Sequence, residues 1–212
     1  AQRMKALGAG GVMVFPFGLE SLPPAPPAKE PALFFANRGL EPIYAPGRVL
    51  RVFASLAAGW PEARLVIANG GSLRAGTEAL ARELGLAERV LFVGRLDAAT
   101  QAQWYARARW YLSLPESDSV SVSVLEAMGH ACIPILSDLP ANRELVEDGR
   151  NGVVVAAGEQ PTRARLAPLA QDAEAVGARL RAWVGAQAMF PASVNAYVQR
   201  LQGLQGLRAS RP

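Results

Sequence analysis

Residues 117–138 read SDSVSVSVLEAMGHACIPILSD, and the first half of this stretch carries two conflicting patterns. From Val120 to Val124, apolar and polar residues alternate with a period of two, which is typical of a half-buried strand. Leu125 to Met128 follow without a break and favour a helix. The stretch alone therefore predicts either a strand or the first turn of a helix.

The rhythm of the whole chain decides between these two predictions. Short apolar runs lie at 33–36, 65–68, 90–93, 111–114, 133–136 and 153–155, and helix-like stretches lie between them at 48–58, 77–84, 98–107 and 141–146. Strands that alternate with helices are typical of βαβ units, so we predict an α/β fold with a Rossmann-like, doubly wound parallel sheet.

Residues 119–129 must then form a helix, because successive parallel strands need a crossover of a dozen or more residues. Val122, Leu125 and Met128 fall on one face of this helix at three-residue steps. Ser119, Ser121 and Ser123 suit its cap and first turn.

The composition excludes several classes of protein. The net charge of +4 comes without a dense basic cluster interleaved with aromatic residues, so we do not expect a nucleic-acid partner. The single cysteine, Cys132, rules out an intrachain disulfide framework and fits a cytoplasmic location. With His130 as the only histidine, we expect no metal site and no Cys–His catalytic pair. No stretch approaches the roughly 20 apolar residues of a membrane span.

The chain divides into three predicted regions. Residues 1–31 hold a strand-like run at 12–17 and a proline-rich linker, and residues 32–158 form the Rossmann-like domain. In residues 159–212 the strand rhythm stops, and two helices are predicted at 173–186 and 193–204, which either cover the sheet or reach towards a missing domain. The chain opens in mid-pattern, so we interpret it as a fragment of a longer protein.

Three loops at the carboxyl ends of predicted strands are the candidate ligand site, since ligands bind at that edge of open α/β sheets. A helix N-terminus with small residues favours a phosphate group. Together the loops predict an anionic nucleotide ligand. Their residues are Asn69, Gly70, Gly71 and Ser72 after the second run, Gly94, Arg95, Leu96 and Asp97 after the third, and Pro115 to Ser121 after the fourth.

Asp118 and Glu126 lie on either side of the predicted helix start. They are eight positions apart, and Glu126 lies roughly 10 Å further along at about 1.5 Å per residue. Two separated acceptors that flank an anion site suit a sugar-nucleotide. The alternative is that Asp118 caps the helix and Glu126 is a solvated surface residue.

These motifs resemble the C-terminal half of a family 4 (group 1) glycosyltransferase of the GT-B fold. The family signature is a glutamate, seven residues and a second glutamate before Ala-Met, and it is similar to the segment from Asp118 to Met128. Further agreements are the strand that contains Pro134 and the segment Gly149–Gly152. In addition, Pro16 to Leu19 resemble the family's interdomain connector.

The resemblance implies a role for each candidate residue. Glu126 would accept hydrogen bonds from the ribose, and Asp118 would contact a hydroxyl of the donor sugar. Arg38 would neutralise the diphosphate, and Asp118 and Arg38 are the candidate catalytic residues. The remaining donor-binding candidates are Ser119, Ser121, Val122 and Ser123 at the diphosphate, Gly94, Arg95 and Leu96 along the base, and Asn69, Gly70 and Gly71 at the border of the pocket.

The chain departs from the family pattern at two positions. Asp118 stands where the family has glutamate, so its reach is shorter. The lysine that accompanies the family's phosphate-binding arginine is missing, and Arg48 or Arg51 could replace it, while Tyr44 could contact the phosphate.

The resemblance implies retaining, metal-independent transfer of a hexosyl group from a nucleotide-sugar, with no further cofactor. The acceptor would bind to an N-terminal domain outside this fragment, which alone would be inactive, and the full-length protein could associate peripherally with a membrane. Two alternatives stay open: a non-catalytic nucleotide-binding module, favoured by the missing lysine, and a sugar-nucleotide epimerase, disfavoured by the single histidine.

Overall fold

The computed structural model describes residues 2–10, 12 and 18–209, with side chains described for 4–10, 12 and 18–202. Apart from Val12, the predicted strand-like run at 12–17 lies outside the described residues. Pro16 and Phe17 of the predicted connector lie outside them as well.

The core is a six-stranded, all-parallel sheet in the order β3-β2-β1-β4-β5-β6. The prediction of a doubly wound α/β fold is confirmed, because five of the six predicted apolar runs lie within one of these strands and the run at 111–114 does so except for Leu114. The strands are β1 Glu30–Ala36, β2 Arg64–Ala68, β3 Val90–Gly94, β4 Ala108–Ser113, β5 Ile133–Ser137 and β6 Val153–Val155.

Helices cover both faces of the sheet, which explains why the central strands are apolar along most of their length. They are α1 Gln2–Ala6, α2 Pro46–Leu56, α3 Arg74–Glu83, α4 Ala98–Arg107, α5 Val122–Gly129, α6 Pro140–Arg143, α7 Ala167–Gln171, α8 Ala173–Gln187 and α9 Phe190–Ala209, with short 3-10 turns at Pro42–Tyr44 and Arg163–Leu166. The centre of the core is aromatic: Phe34 of β1 packs edge-to-face on Phe53 of α2 at 5.3 Å and stacks on Trp110 of β4 at 6.0 Å.

The sheet reverses its direction of winding between β1 and β4. From β1 the chain proceeds outward through β2 and β3, and β4 then returns to the other side of β1. The loops that follow β1 and β4 therefore diverge and leave a crevice at the carboxyl edge, which is where ligands bind in this class of fold.

Helix α5 is the predicted crossover, but it begins at Val122 rather than at residue 119. Leu125 and Met128 are buried as predicted, whereas Val122 is 36% exposed, because a three-residue step drifts around a helix of 3.6 residues per turn. Ser121 keeps an extended backbone, with φ −85° and ψ 126°. Residues 117–121 are therefore a loop.

Of the two predicted C-terminal helices, α8 packs into the core, whereas Tyr197, Val198 and Leu201 of α9 are exposed. Val176, Leu180 and Val184 of α8 are buried in the main hydrophobic cluster. A Cβ on Gly177 would lie 2.8 Å from the carbonyl oxygen of Ala131, so α8 packs against the start of β5 at backbone distance. The domain boundaries at 31/32 and 158/159 stay predictions.

The connector is tied to the C-terminal helices by backbone hydrogen bonds. The Leu19 N–H donates to Ala188 O at 2.8 Å, and the Phe190 N–H donates to Leu19 O at 2.7 Å. Arg181 of α8 donates to Pro23 O and to Gly129 O at 2.5 and 2.6 Å. The connector therefore lies against the C-terminal ends of α5 and α8. Over the described part of the chain, no helix is both long and apolar enough to cross a membrane.

Candidate functional site

Arg38 lies two residues after the end of β1 and reaches across the crevice to the loop before α5. Its Nη1 donates to Ser121 Oγ at 2.5 Å and to Ser123 Oγ at 3.2 Å, and its Nη2 lies 2.8 Å from Asp118 Oδ2. The guanidinium also lies over the ring of Tyr44, 4.4 Å from its centroid. Two predicted catalytic residues and two predicted donor-binding serines are thus brought together.

The first turn of α5 keeps free capacity for an anion. Ser121 is at the N-cap position, but its hydroxyl caps no backbone N–H, because it accepts from Arg38 instead. Its carbonyl oxygen accepts from Val124 and Leu125 at 3.1 and 3.2 Å. The earlier N–H groups have no intrahelical partner, and together with the helix dipole and Arg38 they form an anion-binding arrangement.

The Asp118 carboxylate is only partly satisfied. Oδ1 accepts from the Ser119 N–H at 2.9 Å. Oδ2 is buried and accepts no aligned hydrogen bond, although it makes the ion pair with Arg38. Arg38 compensates the charge of this oxygen, so it can accept a hydrogen bond from a ligand only when the ion pair loosens. Ser119 itself is exposed.

The glycine loop after β2 lies beside the residues that follow β1. Asn69 adopts a positive φ of 79°, and its Nδ2 donates to Asn37 O at 3.2 Å. The Leu40 N–H donates to Gly70 O at 2.9 Å, and a Cβ on Gly71 would lie 2.4 Å from Leu40 O. This loop therefore borders the Arg38 side of the crevice and needs glycine at position 71.

The loop after β3 contacts the same region through its backbone. The Asn69 N–H donates to Gly94 O at 2.5 Å, and Gly94 adopts a positive φ of 70°. Arg95 is exposed and Leu96 is half-buried. The loop ends at Asp97, whose Oδ1 caps α4 by accepting from the Thr100 N–H at 2.7 Å.

Glu126 faces a different space from Arg38. It lines a cleft of about 570 Å³ between α4, α5 and connector residues 18–23. Its Oε2 accepts from Tyr105 Oη at 3.1 Å and lies 3.5 Å from Gln101 Nε2. Burial raises the pKa of Glu126, and the hydrogen bond from Tyr105 opposes that rise. The two acidic residues therefore lie in separate surroundings, one at the helix start and one in the cleft.

A buried hydrogen-bond network lies between the start of α5 and the cleft at Glu126. Its side chains are not among the site residues predicted from the sequence. Tyr111 Oη donates to Asn37 Oδ1 at 2.7 Å, and Asn37 Nδ2 donates to Tyr105 Oη at 2.7 Å. All three side chains are at least nine-tenths buried. One sequence signal is available, because Asn37 is a polar residue between an apolar strand and Arg38, and a polar side chain buried there needs partners.

The candidates for the missing lysine are engaged elsewhere or lie on the surface. Arg48 donates through Nη2 to Val155 O and Ala156 O, both at 2.8 Å, and burial lowers its pKa. Arg51 is exposed. Lys29 is buried and donates to Tyr105 O at 2.6 Å, and burial lowers its pKa. None of these contacts involves Arg38 or its partners Asp118, Ser121 and Ser123.

Cys132 and His130 are both buried. Burial raises the pKa of the Cys132 thiol, which is fully enclosed and contacts Lys29 Nζ at 3.4 Å. His130 stacks on Tyr105 at 5.5 Å between centroids. Burial, with Lys29 and Arg181 nearby, lowers the pKa of His130 to about 4, so the ring is neutral at pH 7. Within the described ranges, no three His, Cys, Asp or Glu side chains group as metal ligands.

Solved structures share this fold. Sucrose-phosphate synthase from Thermosynechococcus elongatus superimposes with a TM-score of 0.78 at 19% identity, covering 98% of this chain and 57% of that one. A TarM variant from S. aureus, in complex with fondaparinux, alpha-GlcNAc-glycerol and UDP, gives 0.79 at 14% identity over 93% and 41%. The pneumococcal O-GlcNAc transferase GtfA, in complex with UDP and GlcNAc, gives 0.73 at 16% identity over 89% and 38%.

Sequence relatives identify the family. D-inositol 3-phosphate glycosyltransferase 2 of Catenulispora acidiphila is 30% identical over 202 residues, which is 86% of this chain and 46% of that protein. The lipopolysaccharide core biosynthesis mannosyltransferase LpcC of Rhizobium leguminosarum bv. viciae is 37% identical over 90 residues, 42% of this chain and 25% of that protein. The chain thus spans less than half the length of these relatives. The family described as glycosyl transferases group 1 matches residues 22–171, and the chain belongs to this family.

Proposed function

We propose that this chain binds the nucleotide-sugar donor of a retaining, metal-independent glycosyltransferase that moves a hexosyl group to an acceptor hydroxyl. The observation that carries the proposal is Arg38, held over the uncapped start of α5 at the switch point of the sheet. Structural neighbours with the same fold were solved with UDP, which supports a nucleoside diphosphate as the ligand.

The diphosphate occupies the space between Arg38 and the first turn of α5. As the bond to the sugar breaks, negative charge grows on the leaving diphosphate. A fixed guanidinium and the helix N-terminus stabilise that charge without a metal ion. Tyr44 stacks under the guanidinium and limits its motion, so the cation is already oriented when the donor arrives.

Asp118 and Glu126 hold the two ends of the donor. Glu126 accepts hydrogen bonds from the ribose in the cleft. Asp118 Oδ2, which is paired with Arg38 before the donor binds, accepts one from a hydroxyl of the donor sugar. When the phosphate competes for Arg38, the ion pair with Asp118 weakens and this oxygen becomes available to the sugar.

The longer protein supplies the rest of the reaction. Its N-terminal domain binds the acceptor and completes the cleft, so the 212-residue chain binds donor without turnover. Peripheral membrane association of the full-length protein and a cytoplasmic location belong to the same proposal. No further cofactor is part of this scheme.

One observation favours a non-catalytic nucleotide-binding module instead. The family's phosphate lysine is absent, and Arg48, its nearest candidate, is bonded to the end of β6. A sugar-nucleotide epimerase is a weaker alternative, because His130 is buried and its pKa of about 4 leaves no acid form at pH 7 and makes the neutral ring a weak base.

Transfer activity of the full-length protein tests the proposal. We expect sugar transfer in the presence of EDTA, at a rate unchanged by adding Mn²⁺ or Mg²⁺, because arginine and helix N–H groups provide the positive charge. A matched reaction with the Arg38→Ala variant should lose roughly 100-fold or more in kcat, the range seen when one transition-state hydrogen-bond donor is removed. Loss of activity in EDTA that manganese restores would contradict the metal-independent scheme, and a full-length protein without transfer activity would favour the binding module.

A further inference from the structure

A directed chain of buried hydrogen bonds ends on Glu126. The bonds run from Tyr111 to Asn37, from Asn37 to Tyr105 and from Tyr105 to Glu126, at 2.7, 2.7 and 3.1 Å. They join β4, the end of β1, α4 and α5, which are the elements that form the crevice.

The direction of donation follows from the carboxylate. An ionised glutamate only accepts, so the single hydroxyl hydrogen of Tyr105 points to Glu126. The Tyr105 oxygen is then left to accept from the Asn37 amide, and the Asn37 carbonyl oxygen must face the Tyr111 hydroxyl. Every hydrogen in the chain points towards Glu126, and each bond polarises the next.

One competing acceptor lies near Tyr105. The carbonyl oxygen of Ser123 is 3.2 Å from the Tyr105 hydroxyl, at nearly the same distance as the carboxylate. A hydroxyl with one hydrogen donates preferentially to a charged acceptor, because such hydrogen bonds are roughly twice as strong as neutral ones. Which of the two acceptors receives the Tyr105 hydroxyl hydrogen therefore depends on whether Glu126 is ionised.

We propose that Tyr105 is a positioning residue, whose hydroxyl keeps Glu126 ionised and turned into the cleft where the nucleoside part of the donor binds. The inference rests on the proposed function, because it assumes that Glu126 holds the ribose. The Asn37 amide holds the Tyr105 hydroxyl in place by donating a hydrogen bond to its oxygen, and Asn37 immediately precedes Arg38 in the chain. The nucleoside end and the phosphate end of the site thereby share one buried support.

The electrostatics around Glu126 agree with this role. Burial raises the pKa of Glu126, and the hydrogen bond from Tyr105 lowers it. Removing the hydroxyl therefore raises the pKa further, so the carboxylate becomes protonated at a higher pH. The other titratable groups around it are Tyr111 on β4, His130 just after α5 and Glu20 in the connector, and the last two line the same cleft.

The test is calorimetric binding by the Tyr105→Phe variant across a range of pH. The probe is whichever of UDP, GDP and ADP binds the wild-type chain most tightly. We expect affinity near pH 7 to fall roughly tenfold, as for a lost hydrogen bond to a charged group. Affinity falls as Glu126 becomes protonated, so the pH at which half of it is lost should be higher in the variant than in wild type.

Tyr111→Phe is the matched control. It also removes one buried tyrosine hydroxyl that is bonded to Asn37, so it should cost similar stability in urea unfolding. It removes only the far end of the chain and leaves the Tyr105–Glu126 contact in place, so its shift in the pH midpoint of binding should be much smaller than that of Tyr105→Phe. Equal shifts in both variants would show a general loosening of the core and overturn the positioning role.

A double-mutant cycle with Glu126→Gln separates the two claims. If Tyr105 acts through the carboxylate, Tyr105→Phe should weaken binding in the wild-type background and add little in the Glu126→Gln background. If Glu126→Gln weakens binding but Tyr105→Phe does not, or if the losses simply add, the positioning role is wrong and the ribose role survives. Wild-type affinity in Glu126→Gln would overturn both.

Discussion

At the scale of single residues, two carboxylates eight positions apart have different neighbours, and we propose that they have different tasks. Asp118 pairs with Arg38 at the start of α5, whereas Glu126 is held by Tyr105 in the cleft. We assign Glu126 to ribose binding, which is made equally in ground and transition states. We propose that Asp118 acts on the donor sugar, where the geometry changes during the reaction.

Alanine variants should separate these tasks. Glu126→Ala should weaken nucleoside diphosphate binding about tenfold or more, since a lost hydrogen bond to a charged group costs about 1.5–3 kcal/mol. Asp118→Ala should leave that affinity unchanged or raise it, because the variant removes the ion pair that competes with the phosphate for Arg38, but it should lower kcat of the full-length enzyme. Calorimetry and steady-state kinetics measure the two effects.

Circular dichroism of both variants is the control for folding, because Asp118 also accepts a backbone hydrogen bond from Ser119 at the start of α5. If both folded variants bind the diphosphate and transfer sugar like wild type, the two carboxylates are not part of the site.

The sequence predicted these carboxylates and Arg38, but not the side chains that support them. Asp118 and Glu126 lie within one local motif, so spacing alone is informative. Tyr105 and Asn37 are 68 positions apart, and Tyr111 and Asn37 are 74 apart, so their contacts depend on the tertiary fold. The sequence left Arg48 as a candidate phosphate ligand for the same reason. Its actual partner, the carbonyl oxygen of Val155, lies at the end of β6 and is distant in sequence.

At the scale of elements, the loop at 117–121 and the start of α5 show where the local sequence pattern predicts a helix boundary wrongly. The predicted bounds of α4, residues 98–107, match the structure, because Asp97 provides a local cap. Helix α5 begins three residues later than its serines predict. Asp118 and Ser121 contact Arg38, a residue 80 or more positions earlier, instead of capping the helix.

The glycine loop after β2 provides a test at this scale. Gly71→Ala should destabilise the chain by about 1–3 kcal/mol, as overpacking does, because the new Cβ would lie 2.4 Å from Leu40 O. It should also weaken diphosphate binding, since the loop borders the Arg38 side of the crevice. Urea unfolding and calorimetry report the two quantities.

Gly76→Ala is the matched control for this substitution. Gly76 lies within α3, and nothing lies within 4 Å of its Cβ position. Alanine there should stabilise the chain by roughly 0.5–1 kcal/mol and leave binding unchanged. A Gly71→Ala chain as stable as Gly76→Ala, with wild-type affinity, would show that the loop is not constrained against Leu40.

At the scale of the whole molecule, the alternation of strands and helices was sufficient to predict the fold. Each predicted run matches a strand of the parallel sheet, with only Leu114 falling one residue past β4, because the buried strands of such a sheet are continuous apolar segments. The attachment of the connector to α8 and α9 was not predictable, because it depends on backbone hydrogen bonds between Leu19, Ala188 and Phe190. Backbone bonds leave no side-chain pattern in the sequence.

The central claim is a diphosphate site formed by Arg38 and the start of α5, and calorimetry tests it most directly. UDP, GDP and ADP are each compared with the matching nucleoside, on the wild-type chain and on Arg38→Ala. We predict that the wild-type chain binds the preferred diphosphate at least tenfold more tightly than its nucleoside, and that Arg38→Ala removes most of this difference while leaving nucleoside affinity unchanged. Equal wild-type affinity for each diphosphate and its nucleoside would contradict the claim.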